Sequence, residues 1–195
     1  MTSSTVYFVT HPDVQIDPAL SISEWPLSPR GRERMTHALT LPWLRGVRAV
    51  WSSTERKARD GAEIWARHLG LTITELPELG ENDRSATGYL PKAEFEAVAN
   101  QFFAHPEISV RGWERAIDAQ RRIVGAVEKI LTTVPGSEND IAIVAHGGVG
   151  TLLLCHLRGD TIGPQHDQPP TNGGNYFAFD TATRRLRHDW RAIDA

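Results

Sequence analysis

The sequence predicts a three-layer α/β/α sandwich: a mainly parallel sheet with an antiparallel strand at its edge and helices on both faces. Three observations predict it. Short apolar runs rich in β-branched and aromatic residues alternate with stretches whose apolar residues recur at helical spacing. The runs Val6-Tyr7-Phe8-Val9 and Ile141-Ala142-Ile143-Val144-Ala145 carry no charge, as strands covered on both faces do. The chain then closes on two strand-like runs, 176–179 and 186–190, joined by a turn at 180–184, which reads as a hairpin at the sheet edge.

The first strand is predicted over residues 5–10. After a loop to Pro26, Ser28 supplies an N-cap and Pro29 the first helical position, and a helix runs to about residue 39. Residues 47–51 form the second apolar run. Thr54 stands where it can cap the next helix, in which Ala58, Ala62, Trp65, Ala66 and Leu69 share a face and which Gly70 ends. Residues 72–76 read as a third strand. The stretch 77–111 then breaks the rhythm, with a polar segment at 80–88, a short helix over 94–103 and the turn His105-Pro106. It is too long for a plain connection and is read as a cap segment inserted over the mouth of the site. The longest helix is predicted from about 113 to 133, with Trp113, Ile117, Ile123 or Val124, Val127, Ile130 and Leu131 as its buried stripe. A turn at 136–139 leads into the strand at Ile141, and Gly147-Gly148 opens a helix over 149–157. A loop at 159–174 precedes the hairpin. With no repeat and no interdomain linker, residues 1–195 are expected to form one domain.

The 195 residues, 40% of them hydrophobic and 23% charged, suit an ordinary globular protein with a substantial core. A net charge of −3 gives no electrostatic reason to expect nucleic acid or an anionic membrane as partner. No apolar run approaches the roughly 20 residues that span a bilayer, and the first residues lack the basic-then-apolar character of a signal peptide. A cytoplasmic location is therefore expected. Cys155 is the only cysteine, which excludes an intrachain disulfide and a Cys-rich metal site. It lies on an apolar helical face and reads as a buried, inert thiol.

In an open α/β sheet the ligand crevice lies at the carboxyl ends of the strands. After the first predicted strand comes His11. Ser52-Ser53 and then Arg56-Lys57 follow the second, and Glu78, Glu81, Asp83 and Arg84 follow the third. His146-Gly147-Gly148 follows the strand at Ile141 and opens a helix, whose N-terminus favours anions. Cations and N–H donors around a nucleophilic base describe a phosphoryl-transfer site. No nucleotide-type glycine-rich loop is present. His37, His68, His105, His156, His166 and His188 read as surface or structural residues, and no metal-ligand spacing is evident.

The elements Thr10-His11-Pro12, Leu27-Ser28-Pro29-Arg30-Gly31, Ser52-Ser53-Thr54-Glu55-Arg56-Lys57-Ala58, Ala145-His146-Gly147-Gly148-Val149 and Asn172-Gly173-Gly174-Asn175 occur in this order along nearly the whole chain. In them the chain resembles the histidine phosphatase superfamily, which implies a phosphoglycerate mutase-like fold. The resemblance implies a metal-independent phosphomonoester hydrolase in which His11 attacks phosphorus and becomes phosphohistidine. It places His146, Lys57, Ser53, Gly147 and position 10 around the phosphoryl oxygens. It also implies an acid from the inserted segment that protonates the leaving oxygen. Glu81 is the first choice for that acid, Glu78 the main competitor and Asp83 the third. No cofactor is implied, and the expected partner is a phosphorylated small molecule. A weak or inactive phosphate-binding regulatory member is the alternative, and a phosphoglycerate mutase ranks below it.

Two departures bear on the chemistry. The superfamily pattern reads Arg-His-Gly at the first histidine and arginine at position 57; here Thr10, Pro12 and Lys57 stand there. Lysine keeps a point charge but not a planar two-point grip, and Pro12 removes a backbone N–H. Arg84 and Arg56 are the candidate replacements, with Arg84 expected to reach the phosphate from the inserted segment. Tyr89, Phe95, Phe102 and Phe103 of that segment either line the site or pack inward.

Overall fold

A computed structural model describes residues 4–134 and 139–195; of the turn predicted at 136–139, only Asn139 lies within them. The sheet has six strands in the order β3-β2-β4-β1-β5-β6. They are β1 (Thr5–Thr10), β2 (Val47–Ser52), β3 (Ile73–Glu75), β4 (Asp140–Ala145), β5 (Asn175–Asp180) and β6 (Leu186–Ala192). β3, β2, β4 and β1 run parallel to one another, whereas β5 is antiparallel to β1 and β6 to β5. The predicted edge hairpin is therefore present, and it contributes both of its strands to the sheet.

The helices are α1 (Pro29–His37), α2 (Arg56–Leu69), α3 (Lys92–Ala104), α4 (Ala116–Thr133) and α5 (Gly147–Arg158). Strand alternation sends side chains to opposite faces, and the two cores divide accordingly. Val6, Phe8, Ile141, Ile143, Phe177 and Phe179 pack against α4 and α5 on one face. Val9, Val50, Ala142, Val144 and Tyr176 pack against α1 and α2, with Trp65 fully buried among them. A smaller cluster joins α3 to Trp113, Ala116, Ala119 and Leu152, so the helix of the inserted segment is anchored on the body of the domain.

Ser28 caps α1 by accepting the Gly31 N–H at 3.0 Å, with Pro29 at the first position. The predicted cap at Thr54 is displaced by one residue. Glu55 is the N-cap of α2 and makes no side-chain cap bond, because its carboxylate points elsewhere. Likewise α4 begins at Ala116 rather than near Trp113, which precedes it as a buried anchor. α5 begins directly after His146 at Gly147, two residues earlier than expected. Among the described residues no helix is long and apolar enough to cross a membrane.

Arg34 of α1 ties the chain's beginning to its end. Its guanidinium donates to Asp13 Oδ2 at 2.9 Å, to Asp194 Oδ2 at 2.7 Å, and to the carbonyls of Thr171 and Gly173 at 2.9 and 3.1 Å. Its side chain is 8% exposed. Removing one partner from a buried ion network leaves uncompensated charges. Arg34→Ala should therefore lower unfolding stability by about 3–5 kcal/mol in urea titrations; a loss below about 1 kcal/mol would mean that water replaces the guanidinium.

Candidate active site

The carboxyl ends of β2, β4 and β1 are adjacent in the sheet, and each delivers one polar side chain: Ser53, His146 and His11. The ladder continues one residue past the strands to fix them. The His11 N–H donates to Ala145 O at 3.0 Å and the Ser53 N–H to Val144 O at 3.3 Å. The two imidazole rings stand edge to face with centroids 5.1 Å apart. The His11 main chain is packed so closely that a Cβ on Gly173 would fall 2.1 Å from its carbonyl oxygen; Gly173 also has φ +75°. Only glycine suits that position.

His11 Nδ1 lies 3.0 Å from Pro12 O. A carbonyl only accepts, so Nδ1 carries the proton and Nε2 keeps the lone pair. Burial, reinforced by the Lys57 charge, pushes His11 down to about 4; the ring is neutral at physiological pH, with the Nε2 lone pair free of a proton. His146 is fully buried, and burial pushes it down to about 3. Its Nε2 is 2.7 Å from Ser53 Oγ and 3.3 Å from Glu55 Oε1. A carboxylate so near favours the proton on Nε2, and the Nδ1 that lacks a hydrogen-bond partner is then a bare lone pair.

Glu81 lies at the start of α5. Its carboxylate accepts the N–H groups of Gly148 and Val149, each at 3.0 Å, and of Asn82 at 3.1 Å. The inserted segment thus reaches the helix N-terminus through a carboxylate, and a Cβ on Gly148 would lie 2.7 Å from Glu81 Oε1. Arg122 holds the segment from below by donating to the carbonyls of Glu78, Gly80 and Glu81.

Arg84 places its guanidinium carbon 5.1 Å from the Phe95 ring centre and 5.7 Å from that of Trp113, a stacking that holds the cation in one place. It lines a cavity of about 270 Å³ together with His11, Glu81, Phe95, Phe103 and Gln168. A second cavity of about 500 Å³, lined by Ser21, Ser23, Glu55, Ser85 and Tyr89, shares Glu81, Asn82 and Arg84 with the first. Phe102 and Phe103 both wall the first cavity and pack inward against Trp113.

The other expected residues are placed as follows. Lys57 is 3% exposed, and its Nζ donates to Ile22 O at 2.8 Å and to Glu55 Oε2 at 2.5 Å. Thr10 is 1% exposed; its hydroxyl donates to Gln168 Oε1 at 2.8 Å and does not line either cavity. Gly147 lines the cavity beside His11. Arg56 is exposed and lines a separate surface hollow with Glu24, Asp60 and Glu63, so it is not brought to the site. Glu78 faces Lys129 at 3.5 Å away from both cavities, and Asp83 is exposed at the rim.

Three residues not anticipated from sequence belong to this constellation. Glu55 sends its carboxylate between Lys57 and His146. Gln168 is oriented by two donors on its oxygen, Thr10 Oγ1 and Asn175 Nδ2, the latter at 3.1 Å, which turns its amide nitrogen toward Gly147. Asn82 is 6% exposed, and its Nδ2 has no hydrogen-bond partner although it borders both cavities. Among the described residues no group of three or more His, Cys, Asp or Glu side chains is arranged to hold a metal ion.

Comparison with known proteins identifies the family. The family model of the histidine phosphatase superfamily (branch 1) matches residues 17–174. The chain belongs to this superfamily. The match begins beyond His11, so the Thr10-His11-Pro12 element lies outside it. The solved mycobacterial glucosyl-3-phosphoglycerate phosphatase is similar with a TM-score of 0.80 at 18% identity, over 97% of this chain and 99% of that one. Bacillus stearothermophilus YhfR gives 0.77 at 20% identity, over 96% and 95%. The alpha-ribazole phosphatase from Shigella flexneri gives 0.70 at 17% identity, over 98% and 96%. These likenesses establish the phosphoglycerate mutase-like fold. No curated protein sequence matches the chain.

Proposed function

We propose that this member of the superfamily is a metal-independent phosphomonoester hydrolase that works through phosphohistidine on His11. The observation that carries the proposal is the state of His11: Nδ1–H is tied to Pro12 O, Nε2 bears the lone pair, and the ring faces His146 at the mouth of the sheet. In the reaction Nε2 attacks phosphorus and the ester P–O bond breaks. Glu81 gives its proton to the departing oxygen. The resulting carboxylate then takes a proton from water, whose oxygen attacks phosphorus as the P–N bond breaks and phosphate leaves.

The phosphoryl oxygens are held by donors fixed before substrate arrives, which is where electrostatic catalysis gains most. His146 Nε2–H, Lys57 Nζ, the Ser53 hydroxyl and the Gly147 N–H supply one side. Arg84, reaching in from the inserted segment, supplies the other. Thr10 takes part through Gln168: it fixes the amide oxygen, so that Nε2 turns toward Gly147 beside the cavity. Asn82 Nδ2 offers a further buried donor between the two cavities. Two of the solved relatives are a glucosyl-3-phosphoglycerate phosphatase and an alpha-ribazole phosphatase, and the first has been solved with inorganic phosphate. The two cavities, which meet at Glu81, Asn82 and Arg84, leave room for a leaving group.

One observation favours a second reading, a phosphate-binding member without turnover: Glu55 neutralises Lys57 inside the site. Incubation with a panel of phosphomonoesters, with no metal added, separates the two. Release of phosphate, with an acid-labile phosphate that mass spectrometry locates on His11, is the expected result. Phosphate binding without release or labelling across the panel would establish the second reading instead.

A further inference from the structure

The Glu55 carboxylate is surrounded by donors that the proposed reaction needs for phosphate. Its Oε2 takes Lys57 Nζ at 2.5 Å, and its Oε1 takes the Glu81 N–H at 2.8 Å and lies 3.3 Å from His146 Nε2. Two oxygens on one centre, each pointed at fixed N–H groups, have the shape of one edge of a phosphoryl group. The side chain is 15% exposed and is attached at the residue just before α2, where the backbone is extended. Nothing about helix capping calls for this placement, since Glu55 makes no cap bond.

We propose that Glu55 is an internal occupant of the phosphoryl site, which a phosphate dianion must displace in order to bind; the inference rests on the reading of the site given above. The carboxylate and a phosphate dianion cannot share these donors without like-charge repulsion at contact distance. An exit for the side chain exists, because Glu55 itself lines the larger cavity beside Ser21, Ser23 and Ser85. Rotation into that cavity keeps the carboxylate hydrated, and it uncovers Lys57 Nζ, His146 Nε2 and the Glu81 N–H together. The displacement sets specificity as well as affinity. A substrate whose leaving group fills the larger cavity competes with the displaced side chain, so compact phosphomonoesters are favoured over bulky ones. Burial alone would raise the Glu55 carboxyl, but the neighbouring His146, Lys57 and the Glu81 N–H hold it well below the usual carboxylate range, so the occupant is an anion throughout the neutral range.

Inorganic phosphate binding, measured by calorimetry at pH 7.5 on the wild-type chain, Glu55→Gln and Glu55→Ala, tests this. Glu55→Gln keeps one acceptor oxygen, for Lys57 or for the Glu81 N–H but not both, and removes the charge; Glu55→Ala vacates the position. Both variants are expected to bind phosphate at least tenfold more tightly than the wild type, the alanine variant most strongly. A purely structural Glu55 would weaken or leave unchanged the affinity when replaced, and that result in folded Glu55→Gln overturns the inference even if Glu55→Ala fails to fold. Wild-type binding with no gain in either variant leaves the phosphatase reading standing and removes the occupant. Absence of phosphate binding in all three proteins overturns the reading of the site itself, and the occupant with it.

Discussion

His11→Ala should lower phosphate release by at least about 10³-fold for every phosphomonoester, because the covalent step has no substitute nucleophile. The neighbouring imidazole, His146, has its Nε2 committed to Ser53 and Glu55. Glu81→Gln should behave differently. Loss of a general acid costs about 10²–10⁴-fold where the leaving oxygen needs a proton. An aryl phosphate such as p-nitrophenyl phosphate needs none, so its phosphorylation step should be slowed far less than that of an alkyl phosphate. This contrast separates proton transfer from structural support. The Glu81 carboxylate also caps the first N–H groups of α5, and a glutamine there keeps one acceptor oxygen of the two. If the variant only loosened α5 and the neighbouring His146, alkyl and aryl esters would decline in parallel. Burst kinetics with the two ester types, on Glu81→Gln beside His11→Ala, is the measurement. Equal losses for both esters would remove Glu81 from the acid role, and a residual activity above about 1% in His11→Ala would remove His11 from the nucleophile role.

The fold was legible because its signals are local and repeated. Uncharged runs at residues 6–9 and 141–145 announce central strands, and their alternate side chains do feed the two opposite cores. The hairpin was equally plain from its two apolar runs and short turn. Element ends were less so. Thr54 has the side chain of a cap but stands exposed, and the cap position falls one residue later, at the extended Glu55, with the helix beginning at Arg56. The histidines could be placed because each follows a strand directly and the sheet brings strand ends together. Contacts made across long sequence separations carried no such signal. Gln168 sits in a loop of Pro, Gly and Asp residues, and its orientation depends on Thr10 and Asn175, which arrive from different strands. Nothing in the sequence sets Glu55 apart from its neighbours Thr54 and Arg56, which are exposed in the fold; only the three-dimensional path of its side chain, inward to Lys57, separates it from them. Arg56 and Lys57 show the converse. They are adjacent in sequence and alike in charge, yet one points to a surface hollow and the other is 3% exposed at the site, a division fixed by their different positions around α2.

Acid should destabilise this protein well before its carboxylates titrate. An unfolded histidine takes up a proton near pH 6.5, but in the folded chain burial holds His11 down to about 4 and His146 down to about 3. Between those values and 6.5 the unfolded chain binds protons that the folded chain refuses, so stability rises with pH and is lost as pH falls below 6.5. Each refused proton contributes a slope of about 1.4 kcal/mol per pH unit. The two histidines together therefore remove about 5 kcal/mol over the two pH units below 6.5, the lower end of a typical folding free energy. Urea midpoints measured at pH 7, 6, 5 and 4.5 should fall steeply from 6 downward, and His11→Gln, which removes one of the two protons, should flatten the fall by about half. Midpoints that stay level down to pH 4.5 would show that the folded chain accepts those protons, and hence that the imidazoles are not held neutral by burial. The same linkage couples stability to the proposed chemistry. A nucleophile kept basic well below neutral pH is available at every pH at which the fold survives, so phosphate release should decline on the acid side with the loss of folded protein. Circular dichroism and phosphate release recorded on the same samples between pH 7 and 4.5 should trace one curve; activity lost above the unfolding transition would assign the acid limb to protonation of His11 within the folded state.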